Sequence, residues 1–428
     1  MSRSILVLAI LLGGLFARVS HSQEDASDFV NDQIDVSVSD WPWWRGPNRN
    51  GVAYAEQDPP VEWDAETNVA WKVPVPGYGH GSPIVIGDRV ILNSADKESK
   101  TQFVICYERK TGKQLWKKDV HKDGLPSKLN KKATHASSTP ASDGKSIFVS
   151  FMSHGAVYAT SLDLDGEQRW QQKITDYVVH QGYAASPCLY QSLVLIGADN
   201  KKAGSLAALD RDTGKIIWER KRPNKPNYPS PIVLHVAGKD QLLLTGCELV
   251  TGLSPLDGKE LWEIEGSTTE CVTSTVTDGE LIYTSGGYPD NHMSAVRADG
   301  SGEIVWQNRN RVYVPSLVAH DGYLYGVLDA GVAMCWECAT GKEMWKQRLG
   351  GTFSSSPVLA NGRVYVANED GQTFVFAATP EKYESLGKNK LGDIVFGTPA
   401  ICGGRIYARV ASMNDGNRQE MLYCLSRD

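Results

Sequence analysis

The chain has little that would suit it to nucleic acid or lipid. Its 44 Lys and Arg are outnumbered by 50 Asp and Glu, for a formal net charge of −6. A general nucleic-acid binder needs a basic surface to displace phosphate counterions, so that class is set aside. After the first two dozen residues, no stretch approaches the ~20 apolar residues of a membrane helix. P-loop and HExxH motifs are missing, and no Ser-His-Asp arrangement stands out. Nucleotide hydrolysis and peptidase chemistry therefore have no support. No catalytic residue and no metal ligand is assigned from the sequence.

The two ends of the chain read differently from its body. MSRSILVLAILLGGLFARVSHSQ has one early positive charge at Arg3, an apolar run from Ile5 to Phe16, and the small residues Ser20 and Ser22. That order is a secretory leader, here residues 1–22, with cleavage after Ser22. No Cys lies near the cleavage point to carry a lipid. The mature protein is expected to be periplasmic or secreted and to begin with an N-terminal extension, residues 23–67. Eight Cys in an exported chain could pair, but Cys106 and Cys335 lie ten residues before a tryptophan, where another repeat has Ala208. Exchange of Cys for Ala is a packing choice, because a buried free thiol behaves as a small apolar group.

What the chain has in plenty is one phrase. TGKQLW (111–116), DGEQRW (165–170), TGKIIW (213–218), DGKELW (257–262), SGEIVW (301–306) and TGKEMW (340–345) are variants of it. Each belongs to a longer unit. At 352–376, TFSSSPVLANGRVYVANEDGQTFVF has a small-Ser-Pro start, a short apolar run, and alternating strands separated by Asn361-Gly362 and Asp370-Gly371. Period-two runs punctuated by Asn-Gly and Asp-Gly are hairpin signals. The unit is thus a four-stranded antiparallel meander of roughly 40–45 residues, the length of a propeller blade. A seventh unit has PEKYESL where the phrase would stand, and an eighth, from IVFGTPAICGGRIYARV, stops after LYCLS. NVAWKVPVPG at 68–77 has Trp71 in the repeat position, 45 residues before Trp116. It is expected to supply the last strand and close the ring, removing open sheet edges. The expected fold is all-β: one eight-bladed β-propeller over 68–428, docked blade to blade by Trp71, Trp116, Trp170, Trp218, Trp262, Trp306 and Trp345.

The run from AALD (207–210) to TGKIIW resembles the tryptophan-docking motif of the pyrroloquinoline-quinone (PQQ) type propellers. WPWWRGPNRNGVA (41–53), NVAWKVPVPGYGHGSPIVIGDRV (68–90) and VYVPSLVAHDGYLYGVLDAG (312–331) are similar to exported PQQ-like propellers of planctomycete-type bacteria. The resemblance extends to quinoprotein alcohol dehydrogenases and to the outer-membrane assembly propeller lipoprotein, a scaffold without quinone. It implies either a scaffold or PQQ and calcium chemistry. The quinone enzymes carry a vicinal Cys pair and many add a CxxCH haem motif; neither is in this sequence. The reading is therefore a non-catalytic scaffold for a protein or ligand, without cofactor. A PQQ- and calcium-dependent oxidoreductase and a polysaccharide-binding propeller stand as alternatives.

In a propeller the first strand of each blade lines the channel, so residues just before the Ser-Pro-like start sit at its mouth. These are His80, His135, Tyr183, Tyr228, Glu270, Tyr313 and Phe353. Such a mouth could hold a flat ligand or a sugar, or be a packed plug; Glu270 would contact a cation or hydroxyl. Cys335 and Cys338 have CxxC spacing, but on a strand residues three apart face opposite sides. Trp41, Trp43 and Trp44 could stack on sugars, yet are expected to pack across the ring. Six lysines between 117 and 132 form a basic patch. The protein is expected to be a monomer, with no nucleic-acid partner and no transmembrane segment.

Overall fold

The structure, a computed structural model, describes residues 34–55 and 57–427. The expected leader lies outside them. Thirty-two strands form eight four-stranded antiparallel sheets, and no helix occurs among the described residues. We number the blades along the chain: 84–122, 141–176, 188–221, 232–265, 276–308, 318–348, 358–390 and 400–426. Blade 8 is completed by Val69–Val75, which pairs with Asn417–Ser426 and sets Trp71 opposite Cys424. One sheet therefore holds both ends of the propeller, and the ring closes as the repeat arithmetic requires.

Burial follows strand order within each blade. In blade 2, Ser146–Ser153 is buried at every position, whereas the outer strand Gln168–Asp176 is mostly exposed or half-buried. The middle strands are covered on both faces by neighbouring blades; the fourth strand lies on the rim. First strands of successive blades pack on one another and form the inner wall.

The repeated tryptophan docks each blade on the next. Trp116 Nε1 donates to Leu164 O at 2.9 Å, Trp170 to Arg211 O at 3.0 Å, Trp218 to Pro255 O at 3.2 Å, and Trp71 to Arg109 O at 3.0 Å. Each of these indoles lies on the glycine of the next blade's phrase. A Cβ on Gly214, at φ +73°, would stand 2.6 Å from the Trp170 ring, and one on Gly258 2.6 Å from Trp218. Positive φ and the flat ring together demand glycine there. Trp306 repeats the pattern on Gly341 and Cys338 O. Trp345 bonds to Thr379 O at 2.8 Å and meets the Tyr383 ring at 5.7 Å, since blade 7 has no phrase glycine.

Trp262 departs from its expected rim position. Its phrase is ordinary, but its partner across the strand pair is Gly252. With no side chain opposite, the indole folds back: a Cβ on Gly252 would lie 2.4 Å from it. Trp262 is 5% exposed, packs in the core between blades 4 and 5, and donates to Gln241 Oε1 at 2.7 Å. In other blades the residue opposite the tryptophan is Cys106, Ser161, Ala208, Ala295, Cys335 or Cys424. Cys106, Cys335 and Cys424 are thus small packing residues beneath an indole, and all eight cysteines are buried and unpaired. Cys335 and Cys338 lie in different cores, one with blade 7 and one with blade 5.

The extension substitutes for what the repeats lack. In blade 7, register puts Gly387 opposite Val375, where other blades have tryptophan. Val61 O covers that glycine, Asn389 Nδ2 donates to Val61 O at 2.8 Å, and Trp63 N donates to Asn389 Oδ1 at 2.9 Å. Trp63, 6% exposed, is buried in the core shared by blades 7 and 8.

Candidate functional site

Two features define the channel: a plug at one end and a cup at the other. The plug is WPWWRGPNRNGVA. Trp41 pairs with Val85 of blade 1, Pro42 O accepts from Ser142 N at 2.9 Å, and Ala53 N donates to Leu359 O at 2.8 Å. Trp41 and Trp43 are buried, and Arg49 lies 4.4 Å over Trp43. Arg45, 1% exposed, donates to Pro357 O at 3.0 Å, to Asn50 O at 3.0 Å, and to Leu317 O. Burial lowers its pKa to about 9, so it stays a cation at neutral pH. Among the described residues no carboxylate pairs with it.

Above the plug lies a cavity of about 480 Å³, within the range of small-molecule sites. Its waist is a ring of eight hydroxyls, one from the start of each blade: Ser82, Thr139, Ser186, Ser230, Ser274, Ser316, Ser356 and Thr398. Ser82 N donates to Thr139 Oγ1 at 3.1 Å, Thr139 N to Ser186 Oγ at 2.9 Å, and Ser186 N to Ser230 Oγ at 2.9 Å. Ser274 N continues to Ser316 Oγ at 3.0 Å, Ser316 N to Ser356 Oγ at 2.9 Å, and Ser356 N to Thr398 Oγ1 at 2.9 Å. Thr398 N closes the circle on Ser82 Oγ at 3.0 Å. The link from Ser230 to Ser274 is not made; Ser274 Oγ accepts from Trp44 Nε1 at 2.8 Å instead. Seven of the eight junctions are thereby tied at the axis by a buried bond from a backbone N–H to a hydroxyl, each worth on the order of 1 kcal/mol net.

The wall is set by the same register. The residue two before the ring hydroxyl lines the cavity in all eight blades: His80, Ser137, Ala184, Tyr228, Val272, Val314, Ser354 and Phe396. The expected mouth residues therefore divide. His80, Tyr183, Tyr228 and Tyr313 line the cavity. His135 faces a small neighbouring pocket with Phe151 and Met152. Phe353 is 1% exposed and packs on Phe374 in the core of blades 6 and 7. Glu270, 2% exposed, lies outside the lining and meets His180 Nε2 at 3.1 Å, with its other oxygen buried and unpartnered. Offset alone does not separate these sets: Tyr183, Tyr313 and Phe353 all stand three residues before the ring hydroxyl, and of these the two tyrosines line the cavity. Ala184, Val272, Val314 and Phe396 carried no chemical signal and were missed.

Electrostatics vary around the wall. His80 stacks on Phe396 at 4.0 Å and bonds to Tyr78 Oη at 3.1 Å. Burial, then the charges of Arg418 and Arg409, hold its pKa well below 6.5, so it is neutral. Burial raises the Tyr228 and Tyr313 phenols, with Glu270 adding to both. Asp329 is raised by burial, partly offset by its bond from Tyr313 N at 2.8 Å. Of the loop lysines, Lys132 reaches the cavity and pairs with Glu369 at 2.7 Å; Lys118 pairs with Glu167 at 2.9 Å.

A family model described as outer membrane protein assembly factor BamB matches residues 100–290 and 289–381. The chain belongs to this family. The chain is 25% identical over 418 residues to a polyvinylalcohol dehydrogenase of Sphingopyxis sp. (strain 113P3), covering 89% of this chain and 56% of that protein. It is 23% identical over 225 residues to BamB of Legionella pneumophila (strain Paris), covering 52% of this chain and 47% of that one. The chain thus spans about half the length of the curated relatives it matches. Its fold matches that of a europium-containing methanol dehydrogenase with a TM-score of 0.62 at 13% identity, over 91% of this chain and 98% of the other. An assembly factor and a dehydrogenase both stand among the relatives of this chain.

Toward a calcium–quinone pair the cup offers one carboxylate, Asp329, and no cysteine. No cysteine lines the cavity, so no disulfide can lie against a quinone there. Among the described residues no group of three or more His, Cys, Asp and Glu could hold a metal ion. Asp329, the carboxylate in the wall, accepts from the Tyr313 amide with one of its two oxygens. Also among the described residues, no helix is long and apolar enough to cross a membrane.

Proposed function

We propose that the chain is an exported, non-catalytic propeller whose open cup binds a small ligand or a segment of a partner protein. The observation that carries this reading is the plugged channel: the chain's own extension closes one end and leaves a lined cup at the other. Hydroxyls, aromatic rings and an indole suit that cup to recognition, and its donor set offers no nucleophile activated by a base. The proposed contacts are His80, Tyr183, Tyr228 and Tyr313. The protein would act as a monomer in the periplasm or outside the cell.

A second reading, an oxidoreductase using PQQ and calcium, is favoured by the likeness to polyvinylalcohol dehydrogenase across 89% of the chain. Calorimetric titration of residues 23–428 with PQQ and calcium decides between them. The binding reading expects no calcium-dependent saturation and no turnover, since the carboxylates of PQQ alone can meet a binding cup. Saturation near one PQQ per chain only with calcium present, together with alcohol-dependent reduction of an artificial acceptor, would replace it with the oxidoreductase.

A further inference from the structure

The hydroxyl ring has a donor surplus. Each of its eight oxygens accepts one N–H, seven from the backbone of the preceding blade and one from Trp44. Among the described residues none of the eight donates its own proton to a protein acceptor. All eight are buried, from 1% to 8% exposed. Buried donors require partners, and a donor left unmet costs on the order of 1–3 kcal/mol. Six of these hydroxyls, all but Ser274 and Ser316, line the cup. Their protons therefore converge on whatever occupies its floor.

Two cations stand at that space without an ion pair among the described residues, Arg45 beneath it and Arg311 in its wall, where Asp329 feels the Arg311 charge. Arg45 lies buried just under the ring, its guanidinium on the carbonyls of Leu317 and Pro357, the residues that follow Ser316 and Ser356. Its charge is met only by carbonyl dipoles. Arg311 is in the cup wall, 5.3 Å over the Tyr313 ring, and makes no ion pair among the described residues. Asp329 is the opposing charge in the wall, and the Tyr313 amide already occupies one of its oxygens. Lys132 is neutralised by Glu369. A floor of converging O–H donors above an uncompensated guanidinium favours a group made only of acceptor oxygens. Hydrogen bonds to such a charged group are stronger than those to a neutral one.

We propose that the floor of the cup is an oxyanion site, where the ring hydroxyls donate to a carboxylate, sulfate or phosphate group lying above Arg45 and beside Arg311. This rests on the cup being the binding face. It names the ligand as a small molecule or partner segment that ends in such a group.

The test is calorimetric titration of the full chain with sodium acetate, sodium sulfate and inorganic phosphate, at ionic strength held constant with chloride, and with glucose as the neutral probe. At least one oxyanion should saturate near one per chain, and the three arms tell carboxylate from sulfate and phosphate. Arg311→Gln, an exposed side chain, should weaken that binding about tenfold, the loss of one charge-assisted bond. Ala184→Glu, which adds a carboxylate to the wall and leaves the ring intact, should abolish it. Both variants should melt as the parent does. No saturation by any oxyanion would overturn the proposal, as would binding unchanged in both variants. Glucose bound more tightly than every oxyanion, and lost in Ala184→Glu, would keep the cup as the binding face and sink only the oxyanion. PQQ bound only when calcium is present, with alcohol-dependent reduction of an artificial acceptor, would instead remove the non-catalytic reading itself.

Discussion

Blades 3 and 4 join in the ordinary way, whereas blades 4 and 5 do not. At the first junction Trp218 lies on Gly258 and bonds to Pro255 O, and Ser186 N bonds to Ser230 Oγ near the axis. At the second, both devices fail together. Trp262 leaves the rim for Gly252, Gly302 faces Ile264 instead of an indole, and the Ser230-to-Ser274 bond is missing. Other contacts take over. Gln241 receives the Trp262 N–H and donates to Ala298 O at 2.6 Å; Tyr228 N donates to Cys271 O at 3.1 Å, and Cys271 N to Asn227 Oδ1 at 2.9 Å. The difference teaches that a repeat can keep its wording and change its contact. One glycine on the neighbouring strand decides where the same tryptophan goes.

The largest test of this contrast is a pair of truncations. Trp262→Ala removes a buried indole and leaves Gln241 without its donor, so it should cost about 3–5 kcal/mol in denaturant unfolding. Trp218→Ala removes a half-buried rim indole and should cost less, about 1–3 kcal/mol. Equal losses would mean that the two junctions are held alike. Next is Gly252→Ala. The added methyl has no room beside the indole, and overpacking of this kind costs about 1–3 kcal/mol. Trp262 should be expelled toward solvent, seen as a red shift in tryptophan fluorescence; an unshifted spectrum would show that Gly252 is not what holds it inward. The smallest effect concerns the axis. Thr139→Val leaves the buried Ser82 N–H with no acceptor and should cost about 1–3 kcal/mol. Ser274→Ala frees only the half-buried indole N–H of Trp44, which water in the cup can satisfy, so it should cost under about 1 kcal/mol. Thermal melts that rank these two in reverse would argue that the interrupted link is not the weak one.

Much of the outer ring was legible because its signal is local. A TGKxxW phrase carries its turn glycine and its indole within six residues, and Cys106, Cys335 and Cys424 could be placed opposite tryptophan by counting alone. The split blade was legible for the same reason: Trp71 lies one repeat before Trp116. The inner ring was not. Ser82 bonds to Thr139, and Thr398 back to Ser82, across 57 and 316 residues; the Ser-Pro-like start marked most of these positions, but nothing local showed that the hydroxyl would accept from the preceding blade. Phe353 and His135 were expected at the mouth because they precede a Ser-Pro start, but His135 faces a small side pocket and Phe353, at the same offset as Tyr183 and Tyr313, packs into the core of blades 6 and 7. Trp63 was invisible as a substitute, since Gly387 shows its vacancy only once the strands are paired.

By itself the sequence determined the repeat, the number of blades and the strand that closes the ring, because hairpin and docking signals act over a few residues and add up blade by blade. Tertiary structure alone decided that Trp262 turns inward, that WPWWRGPNRNG plugs one end, and that eight separated hydroxyls meet around one cavity. Those outcomes depend on which residues closure brings together, and closure is a property of the whole ring.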